Sequence, residues 1–183
     1  IGIIGPNHFG RGPGTILTSP SHWKTPYGLV SPYKDGLEAL YATGFVFNDE
    51  EVFAEEHSMY ALMSFVKRSV PDAQVIPLMI KDGTEKAQLD ELVLALTKSV
   101  PEDTVFISSI DFSHYQTPTA AHYHDQLSQN VIKTFDYSRI DNLEIDSIPS
   151  LYAVMRLMEY YKTQKVAKEV SNNSAHLGKD YSS

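Results

Sequence analysis

Three short apolar runs, separated by segments with helical periodicity, are the feature that most constrains the fold of this chain. The runs are IGIIG at residues 1–5, QVIPLMI at 74–80 and TVFISSI at 104–110, and all three are too apolar for exposed strands. Helical spacing of apolar residues lies between them, most clearly over 84–99. Strands that alternate with helices predict an α/β domain of three layers, with a largely parallel central sheet flanked by helices.

Turn and capping residues predict the other elements. Asp35 is expected to cap a helix over 36–43, and Gly44 is expected to end it. Segments 15–18 and 26–31 are expected to be strands of a side hairpin, which nearby prolines keep short. The remaining predictions are a helix over 54–69 with Phe65 on its apolar face, helices over 117–135 and 149–163, and a strand over 165–171.

Composition and charge exclude several classes of protein. The chain has 183 residues, 42% of them hydrophobic and 21% charged, which fits a single globular domain over 1–183. Its net charge of −8 argues against binding to nucleic acid or to an anionic membrane surface. Because the chain has no cysteine, disulfides, iron–sulfur clusters and cysteine zinc sites are excluded. No apolar run reaches the roughly 18 residues of a spanning helix.

The chain begins at Ile1, inside an apolar run, rather than at a methionine. We therefore expect that a further segment precedes Ile1 in the natural protein. A signal peptide or an anchor could belong to that segment. A cytoplasmic location, which the lack of cysteine permits, is thus only the default expectation.

Two histidines follow apolar strands at the places where α/β sheets bind ligands. His8 comes three residues after IGIIG, and His114 comes four residues after FISSI. Because ligands bind beyond the carboxyl ends of strands in open α/β sheets, both side chains are expected to face one cleft. Asp111 is close enough to His114 to orient that imidazole or to tune its basicity. The structural alternatives are that Asp111 caps the turn, that His114 packs on the surface and that His8 only shapes a glycine-rich turn.

Two further segments carry candidate site residues. In EEHS, at or near a helix start, His57 can reach towards the cleft, or it can be a solvated residue of the helix terminus. In LEIDSIPS, Glu144 and Asp146 stand just before a helix and can bind a metal ion or a substrate. A helix cap formed by Asp146 or Ser147 explains that segment equally well.

Three motifs together are more specific than any one of them. GPNHF, EEHS and SSIDFSHY, in this order, resemble the Memo-like family, whose bacterial and archaeal members are called AmmeMemoRadiSam system protein B. DSIPSLYAVM and the ending NSA…G…YSS extend the resemblance over the whole chain. The family is similar in fold to class III extradiol ring-cleaving dioxygenases. The resemblance therefore implies that fold, in a single Memo-like domain that lacks its N-terminal strand and helix.

The resemblance also implies a non-haem metal site for Fe(II) or Cu. His8 matches a metal-binding histidine of the family, and a further histidine ligand would precede this chain. Animal Memo has a cysteine near the segment that here reads EIDSIP, so Asp146 or Glu144 would replace it as a ligand. A set of two histidines and a carboxylate is the ligand choice of many Fe(II) oxygenases.

Roles in a reaction are implied in the same way. His114 matches the acid/base residue of the dioxygenase relatives, with Asp111 beside it, and His57 falls in a cleft motif of the family. These roles indicate a metal-dependent oxidoreductase that acts on a small organic substrate. One alternative is a non-catalytic binding or scaffold module that grips a peptide end or a small anion and works with an AMMECR-type domain and a radical SAM protein. Another is a metallohydrolase, which needs a water-activating metal and a nearby base.

Overall fold

The computed structural model describes residues 1–162, which form seven strands and six α-helices. No helix among these residues is both long and apolar enough to cross a membrane. The strands are β1 (Gly2–Pro6), β2 (Ile16–Thr18), β3 (Trp23–Thr25), β4 (Gly28–Pro32), β5 (Val46–Asn48), β6 (Gln74–Ile80) and β7 (Phe106–Ser108). The helices are α1 (Lys34–Tyr41), α2 (Glu50–Glu55), α3 (His57–Ser69), α4 (Lys86–Ser99), α5 (Pro118–Thr134) and α6 (Ile148–Tyr160), with a 3-10 turn at Ile140–Asn142.

β1 lies in the sheet between the strands formed by the two other apolar runs. It pairs parallel with β6, where Ile3 is opposite Pro77, and parallel with β7, where Ile3 is opposite Ile107. The first residues of β6 pair parallel with β4, whereas its last three pair antiparallel with β2, which pairs parallel with β5. β3 pairs antiparallel with β4. Because β1, β6 and β7 run in the same direction, the loops that follow them start at one edge of the sheet.

Helices cover both faces of the sheet. Successive residues of a strand point to opposite faces, so neighbouring residues of β1 pack into different clusters. Ile4 of β1 packs into a cluster that includes Leu40 of α1 and Leu92 of α4. Ile3, one residue earlier, packs on the other face into a cluster that includes Phe53 of α2. All five of these side chains are buried. The two cores confirm the predicted α/β fold with helices flanking a central sheet, and the strand pairs of both directions make that sheet mixed.

The hairpin predicted from residues 15–18 and 26–31 is wrong. Residues 16–18 form β2 and residues 28–32 form β4, but the two strands do not pair with each other. Each pairs instead with a different part of β6, which belongs to a distant part of the sequence. The local hairpin joins β4 to β3, and the Thr25 hydroxyl donates to the carbonyl oxygen of Gly28 (2.7 Å) across its turn. Pairing was decided by burial against β6 rather than by proximity along the chain.

The helix predicted over 54–69 is interrupted at Glu56. The backbone of Glu56 is extended (φ −89°, ψ 107°), so this residue ends α2 and begins α3. The buried face of α3 includes Met59 and Met63, whereas Phe65 is 68% exposed, contrary to the prediction.

Three further predictions concern a helix cap and two strands. Asp35 does not cap α1, because Tyr33 occupies the N-cap position and Asp35 lies inside the first turn. The third apolar run forms a strand only over Phe106–Ser108, so the prediction of 104–110 is too long. The strand predicted over 165–171 lies outside the described residues.

Candidate functional site

The loop after β1 holds His8 at the carboxyl edge of the sheet. The backbone N–H of Asn7 donates to the carbonyl oxygen of Ile80 (2.9 Å), which continues the pairing of β1 with β6 by one residue. The Asn7 side-chain amide donates to the carbonyl oxygen of Arg11 (2.7 Å) and so closes the loop on itself. Gly10 takes a left-handed conformation (φ +61°) in this loop, which a glycine adopts without a steric cost. His8 therefore projects from a folded loop rather than from a mobile tip.

Gly5 lets the start of α3 approach β1 closely. A Cβ atom at this position would lie 2.9 Å from the carbonyl oxygen of Ser109 and 3.1 Å from Cβ of Ser58. The Ser58 hydroxyl donates to the carbonyl oxygen of Pro6 (3.2 Å), and the Ser109 hydroxyl donates to the carbonyl oxygen of Ser58 (2.6 Å). The first turn of α3 is thus fixed between the end of β1 and the end of β7.

Glu56 joins the start of α3 to His8 through its carboxylate. Its Oε1 lies 2.8 Å from Nδ1 of His8 and accepts a hydrogen bond from the backbone N–H of Ser58 (3.1 Å). Its Oε2 accepts a hydrogen bond from the backbone N–H of His8 (3.0 Å). The Glu56 side chain is fully buried. Burial alone would raise the pKa of this carboxyl, but the hydrogen bonds from Ser58 and His8 outweigh burial and leave the pKa below its ordinary value.

Asp146 faces the other nitrogen of the same imidazole. Its Oδ2 lies 3.3 Å from Nε2 of His8, and its side chain is 7% exposed. Its Oδ1 is buried and has no hydrogen-bond partner among residues 1–162. Burial raises the pKa of Asp146, and the nearby Asp111 carboxylate adds to that rise, while the Asp111 backbone and His8 oppose it. The backbone N–H of Asp146 donates to the carbonyl oxygen of Asp111 (3.1 Å), which ties this segment to the turn after β7.

His57 lies against His8 at the mouth of the site. The two rings stack with their centroids 4.5 Å apart and their planes 17° from parallel. Nδ1 of His57 is 3.5 Å from Oε1 of Glu56, and the His57 side chain is 54% exposed. Ligand atoms of His8, Glu56 and His57 all lie within 4.8 Å of one another, so this group could hold a metal ion.

The other predicted site residues lie in the turn after β7 and in the segment before α6. His114 is partly buried, and its Nδ1 is 3.1 Å from the carbonyl oxygen of Phe112. Because a carbonyl oxygen only accepts hydrogen bonds, Nδ1 is the donor in this contact, and in the neutral ring Nε2 then keeps its lone pair. The contact that orients His114 is therefore this carbonyl, whereas Asp111 is exposed and its own carbonyl holds the Asp146 backbone. Glu144 is exposed, in contrast to the Asp146 side chain.

The comparison with known proteins agrees with the motifs at this edge of the sheet. Residues 1–172 match the family described as Memo-like protein. The chain belongs to the Memo-like family. It is 30% identical over 138 residues to a MEMO1 family protein of Ignicoccus hospitalis, covering 73% of this chain and 48% of that protein. It is likewise 30% identical over 139 residues to one of Sulfolobus acidocaldarius, covering 74% of this chain and 49% of that protein.

The alignment with a third relative covers a larger share of both sequences. The MEMO1 family protein of Thermoplasma acidophilum is 25% identical over 187 aligned positions, covering 98% of this chain and 69% of that protein. The chain spans about half the length of the two relatives at 30% identity. The Memo-like family predicted from the three motifs is thereby confirmed.

The donor atoms around His8 could hold a metal ion. Two ligand atoms that bind one ion at about 2.0–2.2 Å lie roughly 3.0–3.5 Å apart in tetrahedral or octahedral geometry. The 3.3 Å between Nε2 of His8 and Oδ2 of Asp146 matches that separation. The unpartnered Oδ1 of Asp146 is a second oxygen that an ion could satisfy. Glu56 is close enough to belong to the same group, but its oxygens already accept several N–H hydrogen bonds.

Sequence reasoning missed Glu56, although it lies in the EEHS motif of the Memo-like pattern. EEHS was expected at or near a helix start, but glutamate is not among the preferred N-cap residues, so the motif did not single out Glu56 as the cap. A carboxylate beside a candidate site histidine was the only available signal, and Glu55, its equally acidic neighbour, is 60% exposed. Burial under the loop of β1 distinguishes the two residues, and that burial depends on the tertiary fold.

Proposed function

We propose that this Memo-like chain binds a transition-metal ion through Nε2 of His8 and the Asp146 carboxylate and serves the oxidation or reduction of a small organic substrate. The observation that carries this proposal is the pair of contacts on His8. Nδ1 contacts the buried Glu56 carboxylate, both of whose oxygens already accept hydrogen bonds. Nε2 contacts the Asp146 carboxylate, whose Oδ1 has no hydrogen-bond partner among the described residues. Metal-ligating histidines typically have such a carboxylate on their second nitrogen.

Fe(II) or Cu is the ion that the histidine and carboxylate donors suit best among redox metals. Such an ion, when bound, supplies the electron transfer and the charge stabilisation that substrate oxidation requires. The chain's own part is to hold the donors in place and to move protons. His114, with its proton fixed on Nδ1 by the Phe112 carbonyl, can accept a substrate proton at Nε2. His57, stacked on His8 and half exposed, is positioned to contact whatever enters the mouth of the site.

The likeness to class III extradiol dioxygenases belongs to this proposal. A mixed sheet with helices on both faces is compatible with that fold, and the candidate site lies at the carboxyl edge where α/β enzymes bind substrates. Molecular oxygen would then be the second substrate. Oxygen uptake that depends on the organic substrate supports this function, whereas substrate turnover at an equal rate without oxygen favours the metallohydrolase.

The test of the metal site is metal analysis of the untagged chain after anaerobic loading with Fe(II), Cu(I) or Zn²⁺ in separate samples. We expect the wild-type chain to retain stoichiometric metal and His8→Gln to lose it. His22→Gln is the matched control, because His22 is an exposed histidine that belongs to none of the site motifs. Absence of bound metal in the wild type, or equal retention in His8→Gln, would contradict the proposal.

A non-catalytic binding module is the second candidate, and one observation favours it. Phe9 is 54% exposed and Tyr115 is 78% exposed, and these aromatic residues directly follow His8 and His114. Exposed aromatic side chains beside a polar cleft suit the docking of a peptide end or of a partner protein. An AMMECR-type domain and a radical SAM protein are the partners that the family resemblance implies. Co-purification of these proteins with the wild-type chain but not with Phe9→Ser and Tyr115→Ser variants would support this function.

A further inference from the structure

The geometry points to Glu56 as the residue that sets the tautomer of His8, holding the ring proton on Nδ1 so that Nε2 remains free to bind an ion. This inference rests on the metal site proposed above, but it concerns a residue that would not itself be a ligand. Glu56 is thus a positioning residue that acts through His8.

The hydrogen bonds of Glu56 argue against direct ligation. Its two oxygens accept from the backbone N–H groups of His8 (3.0 Å) and Ser58 (3.1 Å), and Oε1 is also 2.8 Å from Nδ1 of His8. Both oxygens of the buried carboxylate act as acceptors in these contacts, so Oε1 accepts from Nδ1 as well. Nδ1 must therefore carry a proton. A metal ion on Glu56 would compete with these N–H donors for the carboxylate oxygens, whereas an ion on Nε2 of His8 displaces none of them.

Two carboxylates compete for the imidazole proton, and their geometries decide the outcome. Nδ1 lies 2.8 Å from Glu56, but Nε2 lies 3.3 Å from Asp146, beyond the usual length of a charge-assisted hydrogen bond. Without Glu56, a neutral His8 would place its proton on Nε2 and donate it to Asp146. That proton would occupy the position of the ion. Glu56 thus keeps Nε2 of His8 and Oδ2 of Asp146 available to bind an ion.

A purely structural role for Glu56 predicts a different behaviour. Glu56 is also the N-cap residue of α3, since its side chain accepts from Ser58. Aspartate and serine are both preferred N-cap residues, so Glu56→Asp and Glu56→Ser should preserve the helix start. Aspartate is one methylene shorter and serine has no carboxylate, so neither is expected to reach Nδ1 of His8. These variants therefore separate the cap from the contact with the imidazole.

The experiment measures the ¹⁵N resonances of the His8 ring in the metal-free chain at a pH at which imidazoles are neutral. We expect a protonated Nδ1 in the wild type and a proton on Nε2 in Glu56→Asp and Glu56→Ser. Zn²⁺ affinity, measured by competition with a chromophoric chelator, should fall roughly 10- to 100-fold in both variants. Glu55→Gln removes the neighbouring carboxylate, which is exposed and pairs with Arg11, and should change neither quantity.

The outcomes distinguish this inference from the proposed metal site. An unprotonated Nδ1 in the wild type, or an unchanged tautomer and Zn²⁺ affinity in the variants, overturns the inference. If the tautomer changes in the variants but even the wild type does not bind Zn²⁺, the role of Glu56 stands and the proposed metal site fails. Circular dichroism of each variant shows whether α3 is retained, and the serine variant replaces the aspartate variant if the latter does not fold.

Discussion

The starts of α3 and α6 place a carboxylate on either side of His8, yet the two carboxylates are in opposite situations. At α3, Glu56 is itself the N-cap residue, and both of its oxygens accept N–H hydrogen bonds. At α6, Ser147 takes the capping role, with its hydroxyl accepting from the backbone N–H of Ser150 (3.3 Å). Asp146 therefore does not cap the helix, and its Oδ1 has no hydrogen-bond partner within residues 1–162.

This difference shows that burial alone does not determine what a carboxylate does. Burial is the largest cause acting on the pKa of both groups, but the pKa of Glu56 is lowered and that of Asp146 is raised. The number of donors around each group decides the direction. A buried, unsatisfied oxygen costs free energy in the folded state, and such costs are typical of functional positions. This difference supports the proposed roles, orientation of His8 for Glu56 and metal ligation for Asp146.

Replacement of Asp146 by Asn should have the largest effect. We expect metal affinity to fall by about 100-fold or more, since loss of a ligand should exceed the effect of losing a partner of a ligand. The free energy of unfolding of the metal-free chain should not fall, because the substitution removes a buried charge with an unsatisfied oxygen. Chelator competition and urea unfolding measure the two quantities.

Glu144→Gln is the control for that substitution, because it removes a carboxylate two residues away that is exposed. It should leave metal affinity within about twofold of the wild type, a difference of less than about 0.5 kcal/mol. A larger loss of metal affinity in Glu144→Gln than in Asp146→Asn would indicate Glu144, not Asp146, as the ligand.

Gly5→Ala tests whether the close approach of α3 to β1 is required. The added methyl group would meet the carbonyl oxygen of Ser109 at 2.9 Å, so we expect a loss of about 1–3 kcal/mol in the free energy of unfolding. The start of α3 should also move, weakening metal binding. Gly2→Ala meets the Phe106 ring instead, so it should destabilise the chain without an equal loss of metal affinity. Equal losses of metal affinity in the two variants would show that the site depends on stability alone.

Ser147→Ala removes the cap of α6 and leaves Asp146, the proposed ligand, unchanged. Loss of an N-cap hydroxyl typically costs about 1 kcal/mol, and thermal unfolding should show a loss of that size. Metal affinity should change little, because Asp146 does not take part in capping. A large loss of metal affinity at unchanged stability would mean that the cap, not the free carboxylate, organises this side of the site.

Glu56 and Asp146 should contribute with opposite signs to the pH dependence of the free energy of unfolding. This is the smallest of the expected effects. A lowered pKa in the folded state, as for Glu56, contributes stability at neutral pH that is lost as the pH falls through the lowered value. A raised pKa, as for Asp146, costs stability at neutral pH, and protonation on acidification relieves that cost. Between neutral pH and about pH 4, Asp146→Asn should therefore lose more stability than the wild type, and Glu56→Ser should lose less. Urea unfolding of the metal-free proteins at both pH values measures this difference.

Elements that carry a strong periodic signal were predictable from sequence. The run 74–80 forms β6 over its full length, and the helix expected over 84–99 begins only two residues late. The pairing of β2 and of β4 with β6 was not predictable, because β6 lies far along the chain from both strands. The break at Glu56 was missed because neither glycine nor proline marks it.

The candidate site was predictable only in part, for the same physical reason. Position after an apolar strand indicated His8 and His114, and the structure places both at the carboxyl edge of the sheet. The segment with Glu144 and Asp146 was indicated, but only burial in the fold distinguishes the two carboxylates. The contact of Glu56 with His8 joins residues 48 positions apart, so no local pattern could reveal it.

The position of β1 between β6 and β7 has a consequence for how the chain is synthesised. β1 leaves the ribosome before either of its neighbours, since β6 starts at Gln74 and β7 starts at Phe106. Until both have emerged, the apolar run that precedes His8 lacks its partners, and unpaired apolar strands are prone to aggregation. We therefore expect nascent chains that end before β7 to need chaperone protection.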